Sequence, residues 1–265
     1  MARTVDLNAD LGESFGPWRM GEDEILLGLV TSANIACGFH AGDPDVMAET
    51  VRLAVSHGVA LGAHPSLPDR QGFGRRPMAL RPEEIRNLVL YQIGALAGFA
   101  HAAGSRLVHV KPHGALYGQA ASDASMAEAV AGAVRAFDAK LILVGPAGSQ
   151  LVRAGQAAGL AVAREGFADR RYEPDGTLTP RSRPDALIGN PDEAVAQALN
   201  MVERGEVTAR DGTVIAMPVD TLCLHGDGPD AAAFARRLRM ELAGRGIGLA
   251  AMGERLPDAT ARQPG

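Results

Sequence analysis

Two short stretches of the chain alternate polar with apolar side chains. Asp6, Asn8 and Asp10 are interleaved with Val5, Leu7, Ala9 and Leu11, and His109, Lys111 and His113 with Val108, Val110 and Pro112. Residues two apart share one face of a strand. Three polar groups on a buried face carry a large desolvation cost unless they are paired or meet a wet cavity. Carboxylate, imidazole and ammonium are the groups of general acid–base catalysis and of oxyanion stabilisation. Other polar residues stand where strands are expected to end: Asn34 and His40 in the run 32–40, His64, Glu165 with Asp169 and Arg170, and His225 with Asp227. Of the seven histidines, five (His40, His64, His109, His113 and His225) occupy such ends. His57 and His101 fall on helical stretches and read as surface residues.

Each group has a plainer reading beside the chemical one. Asp6 and Asn8 suit a structural hydrogen-bond role in a buried core, whereas Asp10, further out, leans functional. Lys111, one of only two lysines, is either a buried ion-pair partner of Asp6 or Asp10 or a fixed charge for an oxyanion or phosphate, and both can hold together. Arg75-Arg76, after Gly72-Phe73-Gly74, is a solvated loop or a grip for an anionic group. Asp10, His40 and His64, with His113 near, are the ligand types of a zinc or manganese hydrolase site, though no compact H-E-x-x-H spacing occurs. Cys37 and Cys223 are too few for a disulfide framework and read as buried small residues. No phosphate-binding P-loop occurs, and no dinucleotide glycine fingerprint follows the first strand.

The elements that must position these groups alternate along the chain. Strands are expected over 5–11, 59–63, 106–111, 140–144, 160–165 and 221–224. Helices are expected over 43–57, 82–103, 124–137, 148–158, 192–204 and 229–245. Asp43-Pro44-Asp45 opens one helix with a cap and a first-turn proline, and Asn190-Pro191-Asp192-Glu193 resembles a capping box before another. Such alternation means parallel strands covered by helices. Six or seven strands suggest a closed or nearly closed barrel, with a doubly wound open sheet as the alternative. In either, the C-terminal strand ends carry the active site. The segment 166–189 lacks periodicity, and loops of that length are often functional.

At 265 residues the chain fits a single barrel domain over 1–253 with a tail over 254–265. A net charge of -5 argues against nucleic acid as a partner. There is no apolar run of membrane-spanning length and no secretion signal at the start, so a cytoplasmic protein is expected. Whether it self-associates stays open.

The stretches Asp6 to Gly16, Ala33 to Pro44, Gly62 to Ser66, Gly72 to Arg76, Lys111 to Tyr117, Phe167 to Tyr172 and His225 to Asp227 together resemble the LamB/YcsF family, from about residue 4 to 252. The resemblance implies an α/β fold, a seven-stranded β/α barrel of the glycoside hydrolase/deacetylase type. It also implies ATP-dependent opening of 5-oxoproline (pyroglutamate) to L-glutamate, with ATP and Mg as co-substrate and partner subunits B and C. Deacetylase relatives of that barrel hold a metal with a similar strand end, which points to Asp10. On this chemistry Asp10 or His64 is the general base and Lys111 stabilises the oxyanion or phosphate. His113 gives a proton to the ring nitrogen or positions it. Arg170 or Arg75 grips the substrate carboxylate, and Asn8, Asn34, His40, Glu165 and His225 complete the binding set. Replacing Lys111 by Met is expected to remove turnover with the fold intact. The rivals are a metal-dependent amide or deacetylase hydrolase acting alone, and a non-catalytic subunit that binds lactams.

Overall fold

The computed structural model describes residues 3–224 and 231–255. In chain order the elements are β1 (Thr4–Leu11), α1 (Asp23–Leu27), β2 (Ser32–Ala36), α2 (Pro44–Ser56), β3 (Ala60–His64), α3 (Pro82–Ala102), β4 (Leu107–Val110), α4 (Gly114–Ser122), α5 (Ala124–Phe137), β5 (Ile142–Pro146), α6 (Gln150–Ala157), β6 (Ala161–Phe167), α7 (Pro191–Arg204), β7 (Glu206–Thr208), β8 (Val214–Ala216), β9 (Thr221–Leu224), α8 (Ala231–Gly244), β10 (Gly248–Leu249) and α9 (Met252–Arg255). Strands β1 to β6 and β9 pair in parallel, and β9 pairs back with β1, so seven strands close a barrel. The open-sheet alternative is thereby set aside. Strand β10 adds to the start of β1 at Thr4↔Gly248, and β7–β8 is a separate antiparallel hairpin.

The alternation in β1 explains its placement. Leu7 and Leu11 turn outward into the apolar layer beneath the helices, and Asp6, Asn8 and Asp10 turn into the barrel. Helix α3 meets that layer with Ile85, Val89, Ile93 and Leu96, all fully buried and spaced as one helical stripe. Asp43 caps α2, accepting from the backbone N–H of Asp45 and Val46 at 2.9 and 3.0 Å. Asn190 caps α7 through Asp192 N–H at 2.8 Å. The expected capping box does not form there: Glu193 pairs with Arg171 at 2.6 Å instead.

Some elements carry no sequence signal strong enough to read, namely α1, α4, the β7–β8 hairpin, β10 and α9, most of them five residues or fewer. Residue 254, where the tail is expected to start, falls inside α9, and residues 256–265 lie outside the described residues. Just before it Met252 is fully buried against Ile142, Val144 and Ala163. The aperiodic segment 166–189 opens with the last two residues of β6, and beyond them it holds two isolated strand-like pairings, Arg170↔Leu187 and Tyr172↔Leu178.

Candidate active site at the mouth of the barrel

The C-terminal strand ends surround a cavity of about 390 Å³ whose wall includes Asp10, Glu13, His64, Phe73, Arg75, Lys111, His113, Tyr117, Arg170 and Arg181. Asp10 comes from the end of β1, His64 from the end of β3, and Lys111 and His113 from the extension of β4. That extension stays in register with β3 because Lys111 N–H donates to Ala63 C=O and His113 N–H to Pro65 C=O, at 2.9 and 2.8 Å. All four residues proposed as catalytic therefore share one wall. Among the proposed binding residues, Arg75 and Arg170 share it too. Asn8, Asn34 and His40 do not line it, and Glu165 lines an adjoining cavity of about 450 Å³. His225 and Asp227 lie outside the described residues.

Beneath the cavity the polar groups are locked to one another. Lys111 Nζ lies 2.8 Å from Glu165 Oε1, 3.0 Å from Asp10 Oδ1 and 3.1 Å from Asn8 Oδ1. Burial alone lowers an ammonium's pKa, but the charges of Asp10 and Glu165 outweigh it and hold Lys111 well above its usual value. Asn8 donates to Glu165 Oε1 and Thr221 Oγ1, and Asn34 donates to Asn8 Oδ1 and Asp10 Oδ1. Tyr117 O–H donates to Glu165 Oε2 at 2.5 Å. Burial raises Asp10, yet His64 and Lys111 beside it press its carboxyl well below the usual range.

Three imidazoles pack at the same level. His40 stacks on His113 with ring centroids 3.8 Å apart, and His64 meets both edge-on. His64 Nδ1 lies 2.7 Å from Lys111 C=O, and His113 Nε2 lies 2.9 Å from Phe73 C=O. A carbonyl only accepts, so both of these nitrogens carry hydrogen. Desolvation, with the neighbouring imidazoles, lowers His113 to about 3 and His40 well below its ordinary value. Glu13 Oε1 stands 3.2 Å from His40 Nε2 and 3.6 Å from His113 Nδ1. Glu13, His40, His64 and His113 form a group able to hold a metal ion, their ligand atoms all within 4.8 Å of one another. Of the expected metal set, His40 and His64 fall in this group and Asp10 does not, although its Oδ2 stands 3.3 Å from His64 Nε2.

The Gly72-Phe73-Gly74 motif is explained by crowding. A Cβ at Gly74 (φ +65) would meet His40 Cβ at 2.8 Å and His113 Cδ2 at 2.9 Å. Phe73, at φ 54, is the one non-glycine residue in the left-handed region among the described residues, and its carbonyl holds His113. Such strain persists where surrounding contacts over-determine it.

Arginines belong to the same wall. Arg170 is buried, donates through Nη2 to Thr179 C=O at 2.7 Å and has no partner for Nε. Burial and then the nearby Arg181 lower it to about 10. Gln197 holds the turn that carries it, donating to the carbonyls of Phe167, Ala168 and Arg170. The loop 166–189 thus supplies Arg170, Thr179 and Arg181 to the cavity.

Glu13, Tyr117 and Arg181 join the site without having been singled out by the sequence pattern. Tyr117 carries a legible signal, four residues after His113 and so one helical turn along α4. Glu13 follows β1, where no periodicity applies.

A closed parallel barrel whose C-terminal mouth gathers carboxylates, imidazoles and arginines around one cavity defines a β/α-barrel protein with a polar site at its strand ends. The chain belongs to the LamB/YcsF family, whose model matches residues 5–256. It is 90% identical over 253 residues, 96% of this chain and 97% of the relative, to a Methylococcus capsulatus protein named as the A subunit of 5-oxoprolinase. A crystal structure of a lactam utilization protein from Thermus thermophilus superposes with TM-score 0.89 at 51% identity, covering 94% of this chain and 100% of that one. A T48 deacetylase and a GH113 β-1,4-mannanase, at 14% and 12% identity and TM-score 0.51 each, share the fold. The glycoside hydrolase/deacetylase barrel expected from the resemblance is the observed architecture.

Proposed function

We propose that this chain is the A subunit of an ATP-dependent 5-oxoprolinase, which with subunits B and C opens 5-oxoproline to L-glutamate and releases ADP and phosphate. Its relatives' names support the substrate class. The observation that carries the chemistry is one cavity whose wall holds Asp10, His64 and His113 together with buried Arg170. A five-membered lactam is a stable amide. Phosphate placed on its carbonyl oxygen makes the ring carbon electrophilic, and water then adds. Departure of the protonated ring nitrogen leaves an acyl phosphate, and a second water releases phosphate and glutamate.

Arg170, with its Nε unpaired, or Arg75 at the rim, grips the substrate carboxylate. Asp10 is the more accessible of the two carboxylates on Lys111, its side chain 18% exposed against none for Glu165. His64 Nε2 stands 3.3 Å from Asp10 Oδ2 and 3.0 Å from His113 Nδ1. In the ion-free protein this row takes the proton of the attacking water and passes it toward the ring nitrogen; with an ion on the two imidazoles, Asp10 alone is left to take it. Lys111 has its N–H bonds committed to Asp10, Glu165 and Asn8, which favours holding Asp10 ionised over clamping an oxyanion directly. The sequence has no P-loop, so ATP and its Mg are assigned mainly to the partner subunits. No described helix is long and apolar enough to cross a membrane, and we assign the chain to the cytoplasm.

The test mixes this chain with subunits B and C, ATP and 5-oxoproline and measures glutamate and ADP, each subunit omitted in turn. Glutamate production that persists without this chain would discard the proposal. One observation favours a second reading, a metal-dependent amide hydrolase acting alone: the Glu13–His40–His64–His113 group. An ion there would supply a Lewis acid. Lactam hydrolysis without ATP or partners, abolished by a chelator, would establish that reading.

A further inference from the structure

We propose that Glu13, His40, His64 and His113 bind one divalent transition-metal ion, through Glu13 Oε1, His40 Nε2, His64 Nε2 and His113 Nδ1. Hydrogen positions in the imidazole cluster point to it first. His64 Nδ1 and His113 Nε2 each commit their hydrogen to a backbone carbonyl. The other two nitrogens, His64 Nε2 and His113 Nδ1, face each other at 3.0 Å. In neutral rings no hydrogen is left for that contact, and two lone pairs would oppose each other. A cation beside both removes the conflict.

The neighbouring donors fit one ion. Glu13 Oε1 lies 3.2 Å from His40 Nε2 and 3.6 Å from His113 Nδ1. Donors around a tetrahedral ion with bonds of about 2.0–2.1 Å sit roughly 3.3–3.4 Å apart, within the spread of these contacts. Two of the imidazoles already donate their other N–H to a carbonyl, the second partner that orients a metal-bound histidine. Three nitrogens and one carboxylate suit zinc, cobalt or nickel, whereas magnesium prefers an all-oxygen shell. Glu13 and His113 both reach the cavity wall, so the ion would meet the ligand space. The proposal does not rest on the ring-opening reading, because ion binding is measured without turnover.

The chelator-stripped full chain is titrated calorimetrically with Zn²⁺, Co²⁺ and Mg²⁺, and the Co²⁺ complex is read by its visible absorption. One Zn²⁺ or Co²⁺ per chain at micromolar affinity or tighter is expected, with no Mg²⁺ binding and a four-coordinate Co²⁺ spectrum. Glu13→Gln and His113→Ala should weaken binding by at least the roughly 10–100-fold that even an outer partner is worth. Asp10→Asn should keep the stoichiometry and affinity. If His113→Ala does not fold, Glu13→Gln, in the loop after β1, decides. Absence of Zn²⁺ and Co²⁺ binding would overturn the site and leave a shared proton between His64 and His113. A loss on Asp10→Asn as large as on Glu13→Gln, or no loss on Glu13→Gln, would overturn the ligand set.

Discussion

Asp6 and Asp10 stand four residues apart on the same inward face of β1, and the barrel treats them differently. Asp6 is fully buried and accepts from three hydroxyls: Thr31 at 2.7 Å, Ser32 at 2.6 Å and Thr221. Asp10 accepts from Lys111 and Asn34 and turns its other oxygen toward His64 on the cavity wall. The same division runs through β4. His109 is buried, with Nε2 2.8 Å from Asn34 Oδ1, while His113, four residues on, meets the cavity. Depth in the barrel separates the two kinds of residue. One strand face carries groups hydrogen-bonded to one another at the floor and a chemically available layer at the mouth, and side-chain type does not tell the two apart.

The largest effect should come from breaking the upper layer. Asp10→Asn is expected to lower kcat of the assembled enzyme by about 10²–10⁴ while the thermal midpoint stays near wild type. A wild-type kcat would move Asp10 to the floor class. Lys111→Met sharpens the boundary, since Lys111 belongs to both layers. Its loss leaves two carboxylates facing each other, and we expect about 3–5 kcal/mol of stability lost in denaturant melts, along with turnover. From the sequence alone the fold is expected to survive that change untouched. The ion pair with Glu165, invisible in the sequence, is the reason for the revision.

In the floor the converse is expected. Ser32→Ala removes one donor from Asp6 and should cost about 1–3 kcal/mol while kcat of the folded protein is unchanged. A large kcat loss there would erase the distinction between the layers. Arg170→Gln should raise KM for 5-oxoproline roughly tenfold with a smaller change in kcat, the signature of lost binding. An unchanged KM would shift the carboxylate grip to Arg75. Acid reaches both layers. Burial and the Lys111 charge lower His109 to about 3, and burial and His64 do the same to His113. The unfolded chain takes up protons at these positions below about pH 6.5, but the folded one does not. Stability should therefore fall as pH drops from about 6.5 toward 3, read from midpoints against pH. His109→Gln should flatten that slope, and an unchanged slope would mean His109 titrates normally.

The amino-acid sequence by itself determined where chemistry gathers. Period-two alternation in residues 5–11 and 108–113 places polar groups inside a barrel, because neighbouring side chains on a strand must point to opposite faces. It also determined the caps of α2 and α7, since a side-chain oxygen beside a first-turn proline acts over two or three residues. Contacts made across the barrel were decided only by tertiary structure. Lys111 finds Glu165, two strands further round the barrel, and Glu13 finds His40 and His113, at distances in sequence where no local rule operates. Closure of β9 onto β1, the lock on Asp6 through Thr221 and the facing nitrogens of His64 and His113 belong to the same class. Each depends on the register and curvature of seven strands together, and a pattern read along one strand carries no information about its height relative to the others.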